Sequence, residues 1–143
     1  MSSHPHIGFL NYAKHFCDAA SIIVDGGKVS KTRIAVTYLY GHAIECAMKS
    51  ILIKNGVPDE QLKKIGHDLQ TCLMKVDSYT EKKFVDEMLR EIIRRLNPVY
   101  KEKSLEYHPG NLFMSLPSDK SMQTTVGNFI SKLDNLYRAC LRI

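Results

Sequence analysis

Three ionisable residues interrupt an apolar stretch in the first half of the chain. The segment HAIECAMK, residues 42–49, places His42, Glu45 and Lys49 among residues that otherwise suit a protein core. At about 100° per residue on a helix, these side chains and Tyr38 fall within a sector of about 60°. Because Glu45 precedes Lys49 by four residues, the two can form a structural ion pair. Together with His42 they can instead line a groove for a ligand or a partner.

This polar strip is narrow, and apolar residues cover the opposite side of the predicted helix. They are Val36, Tyr40, Ala43, Ile44, Ala47, Met48 and Ile51. A surface helix normally has a broad polar face, so this helix is predicted to be buried nearly all round. An isolated buried charge is costly, and the strip must therefore be paired internally or open into a groove.

A second histidine is a candidate partner of the strip. Gly66 in the segment IGHDLQTCL can break the chain, so that His67 stands at the start of a helix. From there His67 can point back at Glu45 and Lys49 as a third polar partner. A helix-start residue that forms only local hydrogen bonds explains this histidine equally well, and both interpretations stay open.

Helical periodicity runs along the whole chain, whereas sustained strand alternation is absent. The predicted helices cover about residues 7–25, 32–54, a short segment after Gly66, a segment opened by Ser78 and Glu81 as a capping box, and a last segment capped by Asp119. Residues 101–120 look irregular. The expected fold is a single all-α domain over residues 1–143, an up-and-down bundle of four to five helices with a long loop before the last helix.

Composition narrows the functional classes. The 143 residues include 20 basic and 15 acidic ones, and a net charge of +5 permits a nucleotide or RNA ligand without demanding one.

The four cysteines form no CxxC pair and are expected to be buried thiols in a reducing compartment. No zinc, P-loop or Rossmann motif is present, so no metal or cofactor is predicted. Without a secretory pattern or a membrane-length apolar run, we expect a cytoplasmic location.

Two segments carry a family resemblance. YLYGHAIECAMKSILIKNG, followed by IGHDLQTCL, resembles the HEPN family (higher eukaryotes and prokaryotes nucleotide-binding domain), in which a helix containing ExxxK precedes a GHxL segment. The residues that match are Glu45, Lys49, Gly66, His67, Asp68 and Leu69. The resemblance implies a helical bundle, a homodimer and a nucleotide or RNA ligand. It also implies a nucleotidyltransferase-type protein partner, or a toxin–antitoxin or defence setting.

Many HEPN proteins resemble metal-independent RNases marked by an arginine, four to six residues and a histidine in a late helix. Arg33 and His42 are separated by eight residues in an early helix, and Arg94 and Arg95 precede His108 by more than ten. The RNase motif is therefore absent. We expect a non-catalytic module that binds a partner protein or a nucleotide-like ligand. The alternatives are a divergent dimeric RNase using Arg94 or Arg95 with His108, and a helical interaction protein whose ion pair is only structural.

Overall fold

The computed structural model describes residues 4–27, 29–101 and 116–141. In these ranges the chain forms six helices and no strand, which confirms the all-α bundle. The helices are α1 Pro5–Asp25, α2 Val29–Lys54, α3 Asp59–Ile65, α4 Leu69–Asp77, α5 Glu87–Tyr100 and α6 Asp119–Leu141. Their number exceeds the expected four to five because α3 and α4 are separate short helices.

Helix α2 lies at the centre of the bundle. It packs against α1, α4, α5 and α6, while α6 also contacts α1 and α5. Its fully buried residues include Tyr40, Ala43, Ile44, Ala47, Met48 and Leu52. The prediction of a helix buried nearly all round is confirmed, and any charge on α2 therefore needs a partner.

Glycines end the first two helices where the sequence predicts. Gly27 has φ 70° just after α1, and Gly56 has φ 85° just after α2, a backbone region that glycine enters without steric cost. Thr32 has non-helical angles, φ −129° and ψ 18°, so the regular part of α2 starts after it. The predicted start near residue 32 corresponds to this break.

The predicted capping box at Ser78 and Glu81 is wrong. The Ser78 hydroxyl donates to the Lys75 carbonyl oxygen at 2.6 Å and so helps to close α4. Helix α5 starts nine residues later, at Glu87, where the Asp86 carboxylate accepts from the Leu89 backbone N–H at 2.8 Å. A serine hydroxyl readily bonds to a carbonyl oxygen of the turn before it. Here this bond takes the place of the predicted cap on the following helix.

Helix α6 is capped one residue earlier than predicted. The Ser118 hydroxyl oxygen accepts from the Ser121 backbone N–H at 3.1 Å, and Asp119 is already the first helical residue. Residues 102–115, the larger part of the predicted irregular segment, lie outside the described residues. No helix in the ranges described is long and apolar enough to cross a membrane.

All four cysteines are free thiols, but they are not all buried. Cys17 and Cys72 are buried, and Cys46 is half-buried. Burial raises the pKa of Cys46 to about 11 and that of Cys72 to about 12, so these thiols stay protonated and unreactive at neutral pH. Cys140 is exposed, which corrects the expectation of a buried thiol at that position.

Candidate functional site

The carboxylate of Glu45 is the centre of the candidate site. Glu45 is 7% exposed in α2. Its Oε2 accepts from the Lys49 ammonium at 2.9 Å, while its Oε1 accepts from the Tyr100 hydroxyl at 2.7 Å and lies 2.9 Å from His67 Nδ1. Three parts of the chain thus meet at one buried carboxylate: α2, the turn before α4, and the end of α5.

Lys49 connects this carboxylate to the turn that carries His67. Its ammonium also donates to the Gly66 carbonyl oxygen at 2.8 Å. Gly66 has φ 58° and ψ −128°, a conformation that favours glycine. The N-cap of α4 is Asp68, whose carboxylate accepts from the Thr71 backbone N–H at 3.1 Å. His67 is therefore not the capping residue of α4, and its ring is directed at Glu45.

Tyr100 is a member of the site that the sequence analysis missed. It is fully buried, and its hydroxyl lies between Glu45 Oε1 and His42 Nδ1, 3.0 Å from the latter. Because the single hydroxyl proton goes to the carboxylate, the tyrosine oxygen accepts from His42 Nδ1–H, which fixes the tautomer of that ring. We call His42, Glu45, Lys49, His67 and Tyr100 the polar cluster.

Gly41 makes room for the Tyr100 ring. A Cβ atom at this position would lie 2.6 Å from two ring carbons of Tyr100, well inside van der Waals contact. The glycine directly before His42 in the sequence is thus a packing requirement of the cluster. The signal for Tyr100 itself is its place in the α5 stripe, four residues after Leu96.

Asn97 fixes the end of α5 against the start of α4. Its Oδ1 accepts from the Leu69 backbone N–H at 2.7 Å, and its Nδ2 donates to Asp68 Oδ1 at 3.0 Å. Helix α5 continues through Pro98 to Tyr100. The Asn97-Pro98 pair therefore lies inside the helix and helps to carry Tyr100 to the cluster.

Three rings form the outer part of the polar cluster. The centroids of His42 and Tyr100 are 5.6 Å apart, those of His67 and Tyr100 are 6.2 Å apart, and those of the two histidines 6.4 Å. His42 is half-buried and stacks on Phe16 of α1 at 5.2 Å. The His67 side chain is 46% exposed, and its Nε2 has no hydrogen-bond partner in the part of the chain described. The cluster thus reaches solvent through His67.

The charge state of the cluster follows from its hydrogen bonds. Burial alone raises the pKa of Glu45, but hydrogen bonds from His67, Tyr100 and Lys49 outweigh it and hold that pKa below its usual value. Burial and the adjacent Glu45 charge raise the pKa of Tyr100. At neutral pH the cluster therefore contains a carboxylate and a neutral phenol. The carboxylate orients His67 through Nδ1, as carboxylates orient histidines in many sites.

The structure describes the two arginines of the alternative RNase site. Arg94 and Arg95 both pair with Glu91 of their own helix, with side chains 65% and 40% exposed. His108 lies outside the described residues. As for metals, the described ranges hold no group of three or more His, Cys, Asp or Glu residues that could bind one.

Comparisons of the chain with known protein families, with curated proteins and with solved structures found no match. Fold and site nevertheless define a class in structural terms. The protein is an all-α bundle whose central helix holds a buried carboxylate, and this carboxylate orients a surface histidine.

Proposed function

We propose that the protein is a non-catalytic, HEPN-like helical module that binds a nucleotide-like ligand at the imidazole of His67. One observation carries the proposal: buried Glu45 holds Nδ1 of a half-exposed histidine whose Nε2 has no partner in the ranges described. A histidine oriented in this way can donate from protonated Nε2 to a phosphate oxygen, a charge-assisted bond. The net charge of +5 adds a general attraction for anions.

The non-catalytic part of the proposal rests on how the charged groups are used. Glu45 already accepts from three donors, and the Lys49 ammonium is shared between Glu45 and the Gly66 carbonyl oxygen. Neither group is available as a base or as a nucleophile activator. The sequence also lacks the arginine and histidine spacing that marks the RNases of the family it resembles.

The biological setting is proposed from the resemblance alone. It comprises a homodimer and either a nucleotidyltransferase-type protein partner or a toxin–antitoxin or defence system. Analytical ultracentrifugation of the purified protein tests the dimer. Co-purification from the native cell tests the partner.

Calorimetric titration with AMP, ADP and ATP tests the ligand. We expect His67→Ala to weaken nucleotide binding about tenfold, which corresponds to the loss of one charge-assisted hydrogen bond. His15→Ala is the matched control, because His15 is exposed on α1 and does not belong to the polar cluster. The control variant should bind as the wild type does.

Two outcomes would reject the proposal. One is the absence of binding by any of the three nucleotides at millimolar concentration, or an equal loss in both variants. The other concerns catalysis: RNA cleaved by the purified protein, with the activity removed by His42→Ala or His67→Ala, would show that the module is an enzyme.

A further inference from the structure

A second surface, separate from the polar cluster, lies between the two short helices. A groove of about 560 Å³ runs between α3 and α4, and its lining includes Ile65, Met74 and Thr71. Met74 is 69% exposed and lies on the wall of this groove beside Ile65. Methionine side chains are flexible and polarisable, and they are common on surfaces that receive a partner. The groove is thus an apolar surface without a partner in the ranges described.

Two lysines flank this groove, one on each helix. Lys64 belongs to α3 and Lys75 to α4, and both line the groove. Neither ammonium has a carboxylate partner among the described residues, and Lys75 contacts only the half-exposed Tyr79 ring, 5.9 Å from the centroid. Asp77, the last residue of α4, pairs with Arg90 at 2.6 Å. The groove therefore combines the apolar side chains of Ile65 and Met74 with two lysines that have no ion-pair partner among the described residues.

The groove is preformed because both helices that form its walls are anchored in the hydrophobic core. Leu62 anchors α3 in the core, and Leu69 and Leu73 anchor α4. The turn between the helices is held by the bond from Lys49 to the Gly66 carbonyl oxygen. A preformed groove spares a ligand the entropic cost of ordering the two helices.

We propose that this groove binds an acidic amphipathic helix of a partner protein. Apolar side chains of that helix would lie on Ile65 and Met74, and its carboxylates would pair with Lys64 and Lys75. The walls have 7 and 9 residues, so they are about 10–14 Å long and match about two turns of a helix. An amphipathic helix in a groove is a common mode of recognition, and the two lysines select an acidic one.

Backbone and methyl NMR of the labelled protein tests the proposal with a defined probe. The probe is a synthetic helical peptide of about 14 residues, with leucines every three to four positions and glutamates on both flanks. We expect signal changes confined to α3 and α4, with the Met74 methyl among the largest. The same peptide with lysines in place of the glutamates should not bind.

Substitutions of matched charge locate the contact. Lys64→Gln should weaken peptide binding about threefold, and the double variant with Lys75→Gln about tenfold, as expected for exposed ion pairs. Lys63→Gln is the control, because Lys63 is an exposed neighbour on α3 that does not line the groove. The control removes the same charge and should leave the affinity unchanged.

Three results would overturn the proposal. The first is a peptide that binds elsewhere or loses affinity equally in the Lys63 and Lys64 variants. The second is a groove that responds to decanoate but not to the peptide, which would indicate a small amphiphile as its ligand. The third is concentration-dependent dimerisation of the protein alone that Met74→Glu removes, which would show that a second copy covers the groove.

Discussion

Glu45 accepts hydrogen bonds from three side chains, and these bonds limit the chemical roles open to its carboxylate. A carboxylate that is 7% exposed and accepts from Lys49, Tyr100 and His67 has most of its acceptor sites occupied and little contact with a substrate in solvent. Its effect on chemistry is indirect, through the orientation of the His67 ring. Glu45 is therefore a positioning residue, and His67 is the residue that meets a ligand.

Removal of Glu45 alone should destabilise the protein strongly. Glu45→Leu leaves the buried Lys49 ammonium without its counter-charge and the Tyr100 hydroxyl without its acceptor. We expect a loss of about 3–5 kcal/mol in the free energy of unfolding, measured by urea denaturation with circular dichroism. The double variant Glu45→Leu/Lys49→Met should recover most of this loss, because no unpaired charge remains buried.

The same double variant separates a ligand site from a structural ion pair. The proposed function predicts that the double variant folds but binds nucleotides more weakly, because no carboxylate then orients His67. A double variant that keeps both stability and nucleotide affinity would show that the ion pair between Glu45 and Lys49 is only structural.

The helices around the polar cluster are positioned by close packing as well as by hydrogen bonds. The end of α5 reaches α2 only because position 41 has no side chain, which leaves space for the Tyr100 ring. The start of α4 meets α5 through Asn97, which bonds to the Leu69 backbone N–H and to Asp68. The absence of a side chain at Gly41 and the buried amide of Asn97 thus set the spacing of α2, α4 and α5.

Substitution of Gly41 tests this spacing. Gly41→Ala should cost about 1–3 kcal/mol of unfolding free energy, because the added methyl group overlaps the Tyr100 ring or displaces it from Glu45. Gly127→Ala in α6 is the control, since a Cβ there meets nothing within 4 Å. The control should be neutral or stabilise by about 0.5–1 kcal/mol, as alanine usually does in a helix. Equal effects of both substitutions would contradict the packing role of Gly41.

The sequence predicts the long helices well, because they depend on local signals. Apolar periodicity and the terminal glycines place α1 and the regular part of α2 within a few residues of their observed bounds. The start of α5 is missed, because the hydroxyl of Ser78 bonds backward to α4 and Asp86 takes the capping role. Capping depends on which of two local hydrogen bonds forms, and spacing alone does not decide between them.

For the site, the sequence predicts the residues of α2 and the GHDL segment but not their full set of partners. Glu45, Lys49 and His67 are chosen from helical spacing and from the buried charge, and the structure places them within hydrogen-bonding distance. Tyr100 is missed because Asn97-Pro98 suggests a helix end. A proline near the C-terminal end of a helix removes only one backbone bond, so α5 continues past it.

At the scale of the whole molecule, one turn serves two surfaces. The residues between α3 and α4 carry His67 to the polar cluster and also set the spacing of the groove that contains Met74. The bond from Lys49 to the Gly66 carbonyl oxygen anchors this turn to the central helix. The proposed ligand site and the proposed partner site therefore have a common support, although their side chains are different.

The central claim is that Glu45 orients His67 so that its Nε2 receives an anionic ligand. Nitrogen NMR of the histidine rings in the folded protein, with and without AMP, tests it most directly. We predict that neutral His67 has its proton on Nδ1 and that AMP shifts the Nε2 signal, an effect that Glu45→Gln weakens. A neutral His67 ring whose single proton lies on Nε2, or a ring that does not respond to AMP, would contradict this claim.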